Sequence, residues 1–101
     1  MKLSEKRIIV EDGHSRKIIN RIGSGYRKEI RRMIEEGMII DNKKGKTGKK
    51  LCIAKGPKKR WYKIPFTPFK DFIIIISVIP ITKKEAKRLK RFSNNRNQEV
   101  D

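Results

Sequence analysis

Acidic residues are scarce in this sequence, and the shortage says much about its partners. The chain has 101 residues with 28 Lys and Arg against 11 Asp and Glu, so the formal net charge is +17 at pH 7. Solubility of a small domain needs a net charge of only about 2–8, and a larger excess destabilises the compact state by self-repulsion. A thermophile protein rich in Lys and Arg for stability would carry balancing Glu. The composition therefore favours a polyanionic partner.

Cysteine and histidine are almost absent. Cys52 is the one cysteine, which excludes an internal disulfide framework and a multi-cysteine zinc site and favours a reducing compartment. His14 is the one histidine, in a Gly-His-Ser segment typical of an exposed turn. Most of the few carboxylates have basic residues at helical spacing, so no paired acid–base site emerges. We expect a non-enzymatic protein without catalytic residues, metal site or cofactor. A basic nuclease acting through Lys, Arg and Tyr is the enzymatic alternative.

A long hydrophobic run is missing too. Residues 72–81 form the longest near-apolar run, which is about half of the roughly 20 residues that a bilayer span needs. The N-terminus has no apolar stretch followed by a small-residue cleavage site, so we expect no signal peptide. These absences predict a soluble, cytoplasmic protein without a membrane partner. The sequence leaves open whether the protein forms a homodimer.

The most basic part of the chain also contains aromatic residues. Positions 42–70 hold eleven basic residues and no acidic one. The aromatic residues of this stretch are Trp61, Tyr62, Phe66 and Phe69. A surface that is both cationic and aromatic is typical of proteins that bind phosphates and stack on bases. Nucleic acid is therefore the expected partner, and the Ile, Lys and Arg bias favours an archaeal thermophile or one of its viruses as the source.

Apolar spacing predicts the elements of the first half. They are a strand at 6–11, with a short helix as the competing interpretation, a helix at 15–22 and a helix at 26–36. In the helix at 26–36, Ile30, Met33 and Ile34 form one apolar stripe. Gly37 is expected to end that helix as a left-handed C-cap. Strands at 38–40 and 51–53 then predict a β-hairpin with a basic tip at 42–50.

Two strands and a helix are predicted in the second half. Pro65 and Pro68 should make a strand at 60–64 end irregularly or confine it to an edge of the sheet. The continuous run at 72–79 indicates a strand buried on both faces, at the centre of the core. A capping box at 82–85 opens a basic helix. The whole is expected to be a small α+β domain over 1–92, followed by a disordered polar tail at 93–101.

The segment 26–54 resembles the last helix and the wing of winged helix-turn-helix domains. In that family the recognition helix ends with an apolar residue that is followed, four residues later, by a Gly. The chain then leads directly into a hairpin with a basic tip. Met33 and Gly37 stand at those places, and Met38 and Ile39 follow. The resemblance implies DNA binding through the major groove. The residues that it implies as facing the groove or the phosphates are Arg27, Lys28, Arg31 and Arg32. Residues 13–16 and 28–37 are also similar to swapped-hairpin antitoxin-type DNA-binding domains.

Two functions follow, both of them nucleic-acid binding. The first is a DNA-binding transcriptional regulator, whose wing would hold phosphates with Lys43, Lys44, Lys46, Lys49 and Lys50. The alternative is an RNA-binding or ribosome-associated protein, which would use Lys58, Lys59, Arg60, Trp61 and Tyr62. For Trp61 the sequence leaves open whether the ring stacks on a base or covers the core. On the C-terminal helix the candidate contacts are Lys87, Arg88 and Arg91.

Overall fold

The structure is a computed structural model, and it describes residues 2–10, 12–41 and 49–100, the side chains of Ser4, Asp12, Asp41 and 92–100 excepted. Within the described residues there are three α-helices and six strands, so the predicted α+β class is confirmed. In chain order they are β1 (Arg7–Val10), α1 (Asp12–Ile22), α2 (Tyr26–Glu36), β2 (Met38–Asp41), β3 (Lys50–Lys55), β4 (Trp61–Pro68), β5 (Phe72–Ile75), β6 (Ile79–Ile81) and α3 (Lys83–Val100). Short 3-10 turns lie at Leu3–Glu5 and Pro57–Lys59.

The sheet is mixed, with the order β1-β5-β4-β3-β2. Strands β2 to β5 follow one another as antiparallel neighbours, and β1 pairs in parallel with β5 at one edge. The short strand β6 pairs with the first part of β4, on the same side as β5. The predicted hairpin is therefore present as β2 and β3, while its predicted tip at 42–48 lies outside the described residues.

Helices α1 and α2 cover one face of this sheet. Because strand side chains alternate between faces, every second residue of β4 points toward the helices, and Ile64 and Phe66 are completely buried there. From α2, Ile30 and Met33 pack into the same cluster and are also completely buried. Burying an aliphatic or aromatic side chain of this size stabilises the fold by about 1.5–3 kcal/mol. The apolar stripe predicted for α2 is therefore the main contact between helices and sheet.

Helix α3 packs on the opposite face, over β3 and β4. A smaller cluster forms there around Ile53 of β3 and Ala86 of α3, and Trp61 and Leu89 pack against it half-buried. The helix begins as predicted, because the Glu85 N–H donates to the Thr82 hydroxyl at 3.1 Å. Its backbone continues to Val100. The disorder predicted for 93–101 stays a prediction about the chain in solution.

Gly37 ends α2 in a different way from the one predicted. Its φ of −81° and ψ of 175° are extended rather than left-handed. A Cβ at this position would lie 2.6 Å from the carbonyl oxygen of Met33 and 2.7 Å from that of Ile53. Glycine is therefore needed because β3 passes so close to the end of the helix. Among the described glycines, the one with positive φ is Gly23, at +95° after α1.

Strand β4 lies in the middle of the sheet and continues through Pro65 to Pro68. Both alternatives predicted for it, an irregular end after residue 64 and an edge position, are therefore wrong. The strand pairs with β3 on one side and with β5 and β6 on the other. The carbonyl of Pro65 accepts a hydrogen bond from the Ile76 N–H at 2.9 Å, on the side of β5 and β6. Since N–H and C=O of one strand residue point the same way, the missing N–H of Pro65 faces the break between those two strands. The register of β4 and β5 places Pro65 opposite Ile76, the first residue after β5. The bond that the proline cannot make, to the Ile76 carbonyl, therefore falls at the end of this ladder.

The run at 72–79 is also different from its prediction. Strand β5 ends at Ile75, and β6 begins only at Ile79. Within β5 the side chains alternate, with Ile73 and Ile75 completely buried and the other two half-buried. One face of this strand is therefore in the core and the other is partly open. Val78 lies in the break between the two strands and is completely buried. Its burial explains why the sequence stays apolar where the strand stops.

Candidate nucleic-acid interface

An open groove of about 590 Å³ lies where the end of α2, the β3–β4 turn and α3 come together. Four cationic side chains line it: Arg32, Lys55, Lys59 and Lys90. Glu36 is the one acid among the lining residues, and Trp61 is the one aromatic. We call this site the Trp61 groove. Its chemistry suits an anion better than a neutral ligand, because several ammonium groups repel each other there until a negative group lies between them.

Trp61 organises the lysines of the groove. The Lys90 Nζ lies 4.3 Å from the centroid of the indole ring, and the Lys55 Nζ lies 6.0 Å from it. Ammonium groups at such distances are held by the ring quadrupole with about 0.5–1 kcal/mol at exposed sites. The ring also packs against the small cluster under α3. Trp61 therefore covers part of the core, which is one of the two roles left open by the sequence, and it positions two cations in addition.

The turn between β3 and β4 has an unusual backbone. Lys58 and Lys59 both have positive φ, at 61° and 57°, although residues other than glycine avoid this region at a cost of about 1–2 kcal/mol each. The turn leaves both side chains and Arg60 exposed. Gly56, just before it, lies where a Cβ would be 2.7 Å from the ring of Tyr62. The turn is thus held close to the core while it presents three cations to solvent.

The arginines of α2 are largely engaged in the fold. Arg27 donates to the Ile8 carbonyl at 3.4 Å, and Arg31 donates to the Lys6 carbonyl at 3.1 Å. These contacts attach α2 to the first strand of the chain. Lys28 is exposed. Both arginines therefore contact the fold, but Arg27 is exposed like Lys28, whereas Arg31 is half-buried.

Arg32 is held by carboxylates on its own helix. It donates to Glu29 at 2.7 Å and to Glu36 at 2.9 Å. The hydrogen bond with Glu29, followed by that with Glu36, raises the pKa of Arg32 above its ordinary value, against the opposing effect of burial. A guanidinium paired in this way adds less positive charge to the groove than a lysine does. Its main contribution is to hold the wall formed by the end of α2.

The predicted wing is described only in part. Lys43, Lys44 and Lys46 lie outside the described residues. Lys49 is exposed just before β3, and Lys50, the first residue of that strand, is half-buried. The strands that would carry a wing are present, so the geometry allows a basic hairpin beside α2.

Tyr62 does not belong to the interface, and its predicted stacking on a base is wrong for this structure. Only 2% of its surface is exposed. Trp61 and Tyr62 point to opposite faces of the sheet because they are neighbours on one strand. The ring of Tyr62 packs in the cluster under α1 and α2, so no face of it is available to a ligand.

On α3 the predicted cations face solvent, and one that was not predicted enters the groove. Lys87, Arg88 and Arg91 are exposed, and Arg88 lies 3.8 Å from Glu85. Lys90 lines the groove instead. It stands four residues after Ala86, which places both on the packed side of the helix. That spacing is the signal in the sequence that could have identified it.

The one cysteine of the chain is buried in the core. Burial raises the pKa of the Cys52 thiol to about 12, and its Sγ lies 3.4 Å from the Met33 carbonyl oxygen. A thiol protonated at neutral pH is a poor nucleophile. Across residues 2–10, 12–41 and 49–91, apart from the excepted side chains, no three His, Cys, Asp or Glu residues come together as a metal site. Among the described helices, none combines the length and apolar character needed to cross a membrane.

Comparison of the chain with protein-family models, with curated proteins and with solved structures finds no match.

Proposed function

We propose that this chain is a non-enzymatic nucleic-acid-binding protein that holds the phosphate backbone in the Trp61 groove. The observation that carries the proposal is the convergence of Lys55, Lys59 and Lys90 on one open groove. Among the described residues, no carboxylate forms an ion pair with any of these three lysines. A phosphate between them would relieve their mutual repulsion and release its own counterions, which is the main source of affinity in such complexes.

The distribution of charge supports the groove over α2 as the main contact. Helix α2 has four basic residues but also three Glu, so its net charge is close to neutral. The turn at 57–60 has three basic residues and no acid, and residues 83–91 of α3 have six basic residues and one acid. The potential that attracts a polyanion is therefore strongest on the side of the groove formed by the turn and α3.

A DNA-binding regulator with a wing is the second candidate, and one observation favours it. Helix α2 is followed directly by β2 and β3, the order of a recognition helix and its wing. Against it stand the contacts of Arg27 and Arg31 with backbone carbonyls of the first strand region. The proposal that the hairpin binds duplex DNA is tested by a variant with Ala at Lys43, Lys44, Lys46, Lys49 and Lys50. A similar loss of affinity for duplexes of different sequence would support this proposal, whereas unchanged affinity would refute it.

The main proposal is tested by fluorescence anisotropy with labelled single-stranded RNA, single-stranded DNA and duplex DNA of about 20 nucleotides, longer than usual site sizes of about 4–16. The groove variant has Gln at Lys55, Lys59 and Lys90. The matched control has Gln at three exposed cations outside the groove: Lys2, Arg16 and Lys17. Both variants lose three positive charges, so they separate the site from the overall charge.

We expect the groove variant to lose at least about tenfold in affinity. Three exposed contacts of about 0.5 kcal/mol each sum to about 1.5 kcal/mol, and about 1.4 kcal/mol corresponds to a tenfold change in Kd. The variant's dependence of log affinity on log salt should also be shallower by about 2–3, because each phosphate contact contributes about 0.7–0.9 to the slope. Equal losses in the groove and control variants would refute the proposal in favour of non-specific attraction. Absence of binding by the wild-type protein would refute it altogether.

A further inference from the structure

Among the described side chains, helix α3 covers only one half of its face of the sheet. Helix α3 packs over β3 and β4, while β1 and β5 also point side chains to that face. Ile9, Phe72 and Ile74 are among them, and Thr67 of β4 continues the row in register with Ile74. These four residues are half-buried, and neither of the two core clusters includes them. We call this surface the open half-face. It is apolar, and it lies beside a sheet edge.

An aromatic pair stands at one end of the open half-face. The rings of Phe69 and Phe72 are stacked, with centroids 4.8 Å apart and an interplanar angle of 19°. Phe69 is 44% exposed, which makes it the most exposed large apolar side chain among the described residues. One side of its ring meets Phe72, so the exposed surface offers a stacking position for a further flat group.

The turn that carries this pair is fixed by hydrogen bonds. The Phe69 N–H donates to the Phe72 carbonyl at 2.8 Å, and the Lys6 ammonium donates to the Phe69 carbonyl at 2.6 Å. The Arg7 N–H donates to the Asp71 carbonyl at 3.2 Å. The ring pair is therefore held in place before any ligand arrives, which lowers the entropy cost of binding.

The charges around the pair indicate what kind of partner it fits. Arg7 lies directly opposite Phe72 in the β1–β5 register and is exposed. Lys6 and Lys70 flank the same turn, and Asp71 is the acid within it. A second copy of the chain would bring another net charge of +17 toward these cations. The repulsion between the two copies opposes self-association. A ligand with flat apolar groups and negative charges would fit this surface, because the flat groups can stack on Phe69 and the negative charges can pair with the cations around it.

We propose that the open half-face, with Phe69 at its end, binds unpaired bases of a single-stranded nucleic acid. The inference rests on the proposed function and adds to it the strandedness of the partner. Trp61 is less suited to stacking because Lys90 lies over its ring, and Tyr62 is buried. Trp61 begins β4 and Phe69 follows its last residue, so the two are about 26 Å apart at roughly 3.3 Å per residue. Variants at one site can therefore be tested without disturbing the other.

The test compares a single-stranded oligonucleotide with an abasic one of the same length, so that the two probes differ in bases but share their phosphates. The wild-type protein should bind the base-containing strand about 5- to 150-fold more tightly for each base that stacks. A Phe69→Leu variant, which keeps an apolar side chain, should lose most of this preference. Phe69→Tyr should retain it. Because Phe69 is exposed, both variants are expected to fold, and thermal unfolding checks this.

The outcomes separate the two proposals. Tight binding of both strands with equal affinity would refute the stacking proposal while leaving phosphate binding intact. Binding of neither strand would refute both. Retention of the preference in Phe69→Leu would place base contacts elsewhere and also overturn the inference. If sedimentation shows a dimer of the wild-type protein that Phe69→Leu dissociates, the open half-face is an interface between two copies instead.

Discussion

Replacing the two left-handed lysines by glycine should stabilise the protein and weaken its binding. Lys58 and Lys59 hold φ of 61° and 57°, where a residue with a Cβ costs about 1–2 kcal/mol. Glycine removes that cost but adds about 0.5–1 kcal/mol of backbone entropy loss on folding. The difference is a gain of about 0.5–1 kcal/mol at each position. Removing two cations from a chain of net charge +17 acts in the same direction.

The assay measures chemical and thermal unfolding of Lys58→Gly/Lys59→Gly beside Lys58→Ala/Lys59→Ala. The two double variants lose the same charges, so their difference isolates the backbone. The Gly variant should be more stable by about 1–2 kcal/mol, which corresponds to roughly 4–8 °C in Tm per kcal/mol for a domain of this size. Both should bind nucleic acid more weakly than the wild-type protein. A Gly variant less stable than the Ala variant would refute the argument, because glycine destabilises ordinary backbone positions.

The other predictions concern the core and α3. Gly37→Ala should destabilise the fold by about 2–3 kcal/mol, because its Cβ would lie 2.6–2.7 Å from two backbone oxygens; a cost below about 0.5 kcal/mol in urea unfolding would contradict this packing. The pKa of Cys52, raised by burial from 9.0 to about 12, leaves stability unaffected below pH 9. Between pH 9 and 12 only the unfolded thiol ionises, so stability should fall by up to about 1.4 kcal/mol per pH unit more than in Cys52→Ala; parallel pH profiles would show that the thiol is accessible. Thr82→Ala should cost about 1 kcal/mol through loss of the N-cap of α3, whereas Thr82→Ser should cost much less; equal losses would exclude capping as the cause.

Local periodicity was sufficient to predict α2. Its bounds and its buried stripe of Ile30, Met33 and Ile34 agree with the structure, because an amphipathic helix bounded by glycines is encoded within one short segment. The β2–β3 hairpin and the N-cap at Thr82 were predictable for the same reason. Features that depend on neighbours in sequence are therefore the ones that sequence reasoning recovers.

Features that depend on distant strands were mispredicted. Pro65 is accommodated in the centre of the sheet because its missing N–H faces a break between β5 and β6, which only the complete pairing reveals. Tyr62 is buried because it points to the face of β4 that α1 and α2 cover. Trp61 is only half-buried because it points to the other face, on which α3 packs. Lys90 reaches the groove while Lys87 faces solvent. Composition identified a cationic surface, but the positions of its members required the fold.

The central claim, that nucleic acid occupies the Trp61 groove, can be tested with the chain's one tryptophan. The measurement follows Trp61 emission and the anisotropy of a labelled single strand in the same titration. Because two ammonium groups lie over the ring, a phosphate that draws them away should change the emission. The account predicts that both signals saturate with the same Kd and weaken together as salt rises. Saturating anisotropy with unchanged Trp61 emission would contradict it and place the nucleic acid elsewhere on the protein.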